Sequence, residues 1–466
     1  GPYFGSAVRL VHGSLPYRDF VLVQPPGITL LMSPAGLLSN LTGTAWGMAI
    51  GRLLTALAST AGVVLAGPLV RHRGLLAVAV SCAIAAVYPA SVGAAHTVLL
   101  EPWLVLFCLA GAVAVFDGDK LATSTRRLAW GGAAFGFAGS VKTWAIVPVI
   151  VLLVLLAPQI RRAAVFAAGV VAGFAVAVLP LAALAPRSFY DSIVRAQLAR
   201  TGTRAPVWHR VGDMIGIPAA RSWAHGTVLL VAVIIVVFVV GAYALTWYRS
   251  RRGPAALDWF AAAAAALVVA MVLWPPFYGT HYTAFVMPFL GLALALAISR
   301  LAADDGLRGA RPAAGRWLGW LVAGLAGLTV LAGVIGQAAA VAKVRPGPAA
   351  AIQRVIPARA CVLSDQVSYL LLANRFVSST PGCPAMVDGL GTDLALSNGL
   401  SPATGAARVP AVAAAWRQAF SHAQYLLLSA KNALRVAWTP ALRAYVQANF
   451  HRVLNAGSYS VYARRR

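Results

Sequence analysis

Through most of the chain, long apolar runs alternate with short polar turns. Runs close to the roughly 20 residues that cross a bilayer lie at 46–70, 74–92, 97–116, 163–184, 226–247, 256–274, 281–299 and 317–341. Residues 128–157 are also apolar except around Lys142, so they read as one long helix or as two short ones meeting at that lysine. Loop charge separates the two readings. With two short helices, Arg71, Arg73, Lys120, Arg126, Arg127, Arg161, Arg162, Arg249, Arg251, Arg252, Arg300, Arg308, Arg311 and Arg316 all fall on one side. The positive-inside bias assigns that side to the cytoplasm. With a single helix, the loops at 249–252 and 300–316 change sides against the bias. The pattern therefore predicts a polytopic α-helical membrane protein of about ten spans.

On this topology residues 1–45, the 93–96 turn, the 185–225 loop, Trp274 to Thr280 and everything after Val341 face outward. The segment from Pro25 to Leu41 mixes Pro-Pro-Gly with Ile-Thr-Leu-Leu-Met and suits a helix lying in the interface. After Pro346 the hydropathy falls. Ala360 to Ser364 and Gln424 to Ser429 read as buried strands, and Phe450 to Arg464 as a hairpin turning at Asn455-Ala456-Gly457. The expected organisation is an outer loop with an interfacial helix over 1–45, a transmembrane helical domain over 46–341 and a small extracytoplasmic α/β domain over 342–466.

Composition agrees with a chain that lives in lipid: 60% of its residues are hydrophobic and 11% charged, against about 25% charged in soluble domains. The formal net charge of +26 would suit nucleic acid in a soluble protein. Here the arginines gather in short loops between apolar runs, which argues for membrane anchoring and against a nucleic-acid partner. Cys82 and Cys108 sit inside apolar runs, whereas Cys361 and Cys383 flank a polar segment on the outer side, where a disulfide between them is expected. The sequence starts at Gly1 without an initiator Met and has no apolar run before Phe20, so it reads as truncated at its N-terminus.

The unusual polar residues fall on the outward side. Glu101, the only glutamate in the chain, opens an apolar helix within Leu99-Leu100-Glu101-Pro102. An acid there costs energy unless it is used or paired, although the helix dipole also favours an acid in the first turn, next to Pro102. Asp19 lies in a polar loop, Tyr17-Arg18-Asp19-Phe20, where pairing with Arg18 is the plain alternative to a chemical role. Lys142 could meet a phosphate at the membrane surface or simply snorkel. The 185–225 loop carries Arg187, Arg195, Arg200, Arg204, Arg210 and Arg221 against only Asp191 and Asp213. An anionic ligand explains that excess, and so do lipid headgroups. Tyr278, His281 and Tyr282 form an aromatic outer turn able to hydrogen-bond a sugar or phosphate, or to serve as an interfacial belt. No phosphate-binding Gly-rich loop, zinc spacing or Gly-x-Ser-x-Gly elbow is present.

Taken in order, the Gly-x-x-Pro-Tyr-Arg-Asp-Phe loop with its following Pro-Pro-Gly, Leu-Leu-Glu-Pro, the helix pair around Lys142 and the His281-Tyr282 turn resemble the GT-C superfamily of membrane glycosyltransferases. The likeness is to the bacterial relatives of protein O-mannosyltransferases and the lipid A aminoarabinose transferase, and it covers most of the chain. It implies transfer of a sugar from a polyprenyl-phosphate donor at the outer leaflet of the plasma membrane, with a first-loop carboxylate as general base and cations on the departing phosphate. In the family that carboxylate stands shortly before a tyrosine resembling Tyr3. Its equivalent would then fall upstream of Gly1, a missing first helix would bring the count to about eleven spans, and Asp19 is a second choice for the base.

The same likeness gives Glu101 a catalytic or site-holding role; with the loop charge and the aromatic turn, the expected donor and phosphate contacts are Lys142, Arg195, Arg204, Arg210, Tyr278, His281 and Tyr282. Gln24 stands where some relatives carry a lysine before Pro-Pro, which counts against aminoarabinose as the sugar. Mannosyl and arabinosyl donors both fit, the acceptor being a glycolipid, polysaccharide or protein. No cofactor is named by the sequence, and there is room for a divalent cation. The competing expectation is a polytopic lipid or solute transporter or flippase, which would place ionisable residues near the midplane and show related halves.

Overall fold

The structure, a computed structural model, describes residues 1–202, 205–217, 220, 222–251, 253–302, 324, 328, 331–336, 339, 347–429 and 435–465. It divides into two compact units, one of Gly1–Leu54, Ala177–Arg204 and Arg345–Arg466, the other of Thr55–Val176 and Ala205–Val344.

Apolar helices dominate. Thr44–Arg73, Ile160–Ala182, His225–Arg249 and Ala256–Leu273 are each long and apolar enough to cross a membrane. The pair Leu75–Val87 and Pro89–Ala95, bent by 57°, adds a fifth if it is one span. Glu101–Val115, Thr143–Leu156 and Met287–Ala302 are shorter apolar helices. Leu230 is 60% and Val237 61% exposed on their helix, an arrangement that water would penalise and lipid tails accommodate. The chain is a membrane protein. The expected span at 317–341 lies outside the described residues except at scattered helical positions.

The apolar stretch around Lys142 is two helices. Thr125–Val141 is capped by Ser124, whose hydroxyl accepts the Arg127 amide, and it ends at Lys142, which is extended at φ −153° and ψ 128°. A short turn over Thr143–Ala145 then leads into Ile146–Leu156.

Thr125–Val141 packs on Ile160–Ala182 through glycines on both helices. A Cβ at Gly132 would strike the Phe166 carbonyl and one at Gly136 the Val170 carbonyl. Reciprocally, Gly169 faces the Ala129 carbonyl and Gly173 that of Ala133. This is the paired small-xxx-small contact by which helices approach closely where no hydrophobic effect drives them together.

A buried charge network ties several helices of this unit. The Asp258 carboxylate, 1% exposed, accepts from Arg73 at 3.2 Å, Arg300 at 3.0 Å, the Tyr243 hydroxyl at 2.9 Å and the Ala255 amide at 2.8 Å. Arg73 also donates to Asp119 at 2.8 Å. Each charge has partners, which is the condition under which burial is tolerated.

The other unit contains a four-stranded sheet in the order Val362–Ser364, Tyr425–Ser429, Tyr459–Arg464, Phe450–Ala456, the first pair parallel and the others antiparallel. Leu363, Leu426, Trp416, Phe420 and Phe450 pack in its core. The strands lie within the stretches expected from the sequence, and the hairpin turns at Gly457 with φ 64°. Cys361 and Cys383 are bonded. Asn374 accepts the Ala45 amide at 2.9 Å, supplying the otherwise orphan first turn of the Thr44–Val70 helix.

Asp393 gives this unit a pH dependence. Its Oδ1 accepts the Trp416 indole N–H at 2.6 Å, and burial pushes its carboxyl up to about 7. The unfolded chain releases that proton near pH 4, so the folded state holds more protons between these values and stability falls as pH rises through them. Asp393→Asn is expected to raise the unfolding temperature by roughly 5 °C or more at pH 8 and to change it little at pH 4. An equal change at both pH values would contradict this.

Candidate active site

The helical unit brings four of the expected residues together. Glu101 opens its helix, followed by Pro102, so its carboxylate sits where the dipole favours negative charge. Its side chain is 1% exposed and that of Lys142 5%. The break in the helix turns the Lys142 side chain toward it, and Nζ donates to Glu101 Oε1 at 2.6 Å. The ammonium also lies over the Trp144 ring at 3.4 Å and the Tyr282 ring at 4.2 Å. Such desolvated cation–π contacts are worth about 2 kcal/mol each. They help to offset the cost of burying the pair, which Coulomb attraction alone does not guarantee. His281 Nε2 stands 4.0 Å from the same Oε1 with its side chain 36% exposed, and its ring packs edge-on against Tyr282 at 4.7 Å. His281 thus gives the cluster an accessible hydrogen-bonding face.

Arg210 and Tyr278 build the support for that turn. Arg210 donates to the carbonyls of Ala205, Val272, Leu273, Pro275 and Pro276 at 2.6–3.2 Å. Two of these close the last turn of Ala256–Leu273, where carbonyls have no helical partner. Tyr278 donates to Asp213 at 2.8 Å. The sequence suggested an anion ligand at Arg210; in the structure its guanidinium is committed to backbone carbonyls, a role that no spacing rule reveals.

In the other unit, Asp19 accepts from Arg18 Nε and Nη2, both at 2.9 Å, and from the Leu15 amide at 2.7 Å. The Arg18 and Leu15 donors hold its carboxyl below the usual carboxylate range, which weakens it as a base. Asp19→Asn is therefore expected to cost turnover far less than the roughly hundredfold or more lost with a general base; a loss of that size would restore Asp19 as the base. Arg195 is exposed and pairs with Asp191 at 3.6 Å. Arg204 lies outside the described residues. Among the described residues, no group of three or more His, Cys, Asp or Glu side chains is placed to hold a metal ion.

Sequence reasoning missed Ser91, whose hydroxyl is buried beside Glu101's cavity, and the Asp258 network. Ser91 carries no sequence signal beyond being polar in an apolar run. Asp258 does, as an acid in an apolar helix.

No curated protein sequence matches the chain. The crystal structure of ArnT from Cupriavidus metallidurans in the apo state aligns over 99% of this chain and 92% of that one, with a TM-score of 0.55 and 15% identity. The same protein bound to undecaprenyl phosphate aligns over 99% and 93%, with a TM-score of 0.55 and 17% identity. At such identities the likeness is one of fold, and it agrees with the GT-C resemblance carried by the motifs. The sequence model of glycosyltransferase family 87 matches residues 23–276, a span that includes Glu101, Lys142 and Arg210. With more than half of its length matched, the chain belongs to glycosyltransferase family 87.

Proposed function

We propose that the chain moves a sugar from a polyprenyl-phosphate-linked donor to a cell-envelope acceptor at the outer face of the plasma membrane. In this reading it crosses the bilayer about ten times and carries residues 342–466 outside. The observation that carries it is the buried Glu101–Lys142 pair, walled by Trp144 and Tyr282 and flanked by the accessible His281. Burial of a full ion pair at the start of an apolar helix is expensive, and a reaction centre gives it a use. The fold relative solved with undecaprenyl phosphate supports a lipid-linked donor, as does the apolar surface of the helices.

An acceptor hydroxyl oxygen attacks the anomeric carbon, the bond from that carbon to the phosphate oxygen breaks, and the phosphate leaves with the electron pair. The hydroxyl proton passes to a base. Glu101 and Lys142 hold a fixed, nearly neutral charge distribution beside the donor, and His281 contacts the sugar or its phosphate. Fixed dipoles of this kind need no reorganisation as charge develops. Mannose and arabinofuranose are the sugars we assign first.

The test is a donor panel. Purified protein with a membrane extract as acceptor is given radiolabelled mannose or arabinofuranose, each carried on polyprenyl phosphate or on a nucleotide. Release from the lipid carrier alone is the expected outcome, whereas release from the nucleotide donors alone would overturn the proposal.

A further inference from the structure

Glu101 spends one carboxylate oxygen on Lys142; the other, Oε2, is buried with no hydrogen-bond partner among the described residues. The hydroxyl of Ser91, in the short helix Pro89–Ala95, is likewise buried and unpartnered among the described residues. Both side chains line one small cavity, together with Ser59, Val63, Ala85 and Met287. Its interior of about 10 Å³ is near the roughly 10–15 Å³ that one water requires. A sugar or a phosphate does not fit. A dry carboxylate oxygen facing apolar walls is strongly disfavoured, and a water is stable in a cavity that offers two to four polar partners. This one offers the unpartnered Glu101 Oε2 and Ser91 hydroxyl.

We infer that the cavity holds a single water that donates to Glu101 Oε2 and is anchored by Ser91, which makes Ser91 a positioning residue for the Glu101–Lys142 pair. The water fixes the carboxylate rotation that presents Oε1 to Lys142 and His281. Without it the carboxylate gains freedom to turn and the charge pattern beside the donor blurs. The functional consequence rests on Glu101 belonging to the reaction centre; the water itself does not.

Two measurements separate those levels. In an experimental structure at a resolution that shows ordered waters, a density peak within hydrogen-bonding distance of both Oε2 and the Ser91 hydroxyl is expected, and an empty cavity overturns the inference whatever the protein's activity. In the transfer assay, Ser91→Ala is expected to lower kcat by about tenfold, the scale of one lost hydrogen bond. KM for the lipid donor and the unfolding temperature should stay near the wild-type values, and Ser91→Thr should restore kcat. Equal losses in Ala and Thr variants, accompanied by a fall in unfolding temperature, would mark Ser91 as packing only and overturn its positioning role.

Discussion

Exchange of Glu101 for glutamine, with Lys142 left in place, is expected to abolish sugar transfer and to destabilise the helical unit by about 3–5 kcal/mol. The ammonium of Lys142 is 5% exposed and has its charged partner 2.6 Å away. Neutralising that partner leaves a cation whose remaining support includes the faces of Trp144 and Tyr282. Lys142→Ala should be comparably damaging, because it leaves a carboxylate in the same dry place. The informative variant removes both charges. Glu101→Gln with Lys142→Met replaces the pair by neutral side chains of similar length, and such exchanges of buried pairs are close to neutral for stability. Unfolding temperature should therefore recover in the double variant, while transfer should not. A double variant that is stable and transfers sugar at the wild-type rate would show that the pair only braces the helices.

The second large effect is expected at Gly136. A Cβ at this position meets the Val170 carbonyl and crowds the Phe174 amide nitrogen at 2.8 Å. Backbone on both sides leaves no flexible side chain to yield. Gly136→Val forces Thr125–Val141 away from Ile160–Ala182, and overpacking of this kind costs about 1–3 kcal/mol or more. Because Lys142 ends the same helix, the displacement reaches the candidate site as well. Lower yield of folded protein in detergent, a reduced unfolding temperature and a parallel loss of transfer are expected, with Gly93→Ala as the control, since nothing lies within 4 Å of that glycine's added Cβ. Equal behaviour of the two variants would count against close glycine-mediated packing.

Much of the fold was legible because the physics was one-dimensional. Span length and loop charge together required a break at Lys142, and the chain breaks there. A lone acid at the start of an apolar helix pointed to Glu101, since burial of charge needs a reason. The strands after residue 360 stood out as short apolar runs between turn residues.

Other elements were hidden for identifiable reasons. The helix Pro2–Val11 buries Phe4, Ala7 and Val8, a helical spacing, but Ser6 and Arg9 interrupt it, so no apolar run announced it. Gly132, Gly136, Gly169 and Gly173 carried a readable four-residue spacing whose partners only three dimensions supply. Arg210 looked like an anion ligand because excess charge on a loop is visible in sequence, whereas the five carbonyls around it are not. The pairing of Lys142 with Glu101 spans 41 positions, and no local pattern encodes it.

On the proposed function, this chain breaks a sugar–phosphate bond and does not merely carry lipid across the bilayer. The most direct measurement uses the full chain in liposomes with a radiolabelled polyprenyl-phosphate sugar and an acceptor extract, following sugar release and lipid movement in the same vesicles. Release that depends on acceptor, without accelerated movement of the lipid between leaflets, is the predicted result. Accelerated lipid movement with the sugar still attached would contradict it and favour a transporter.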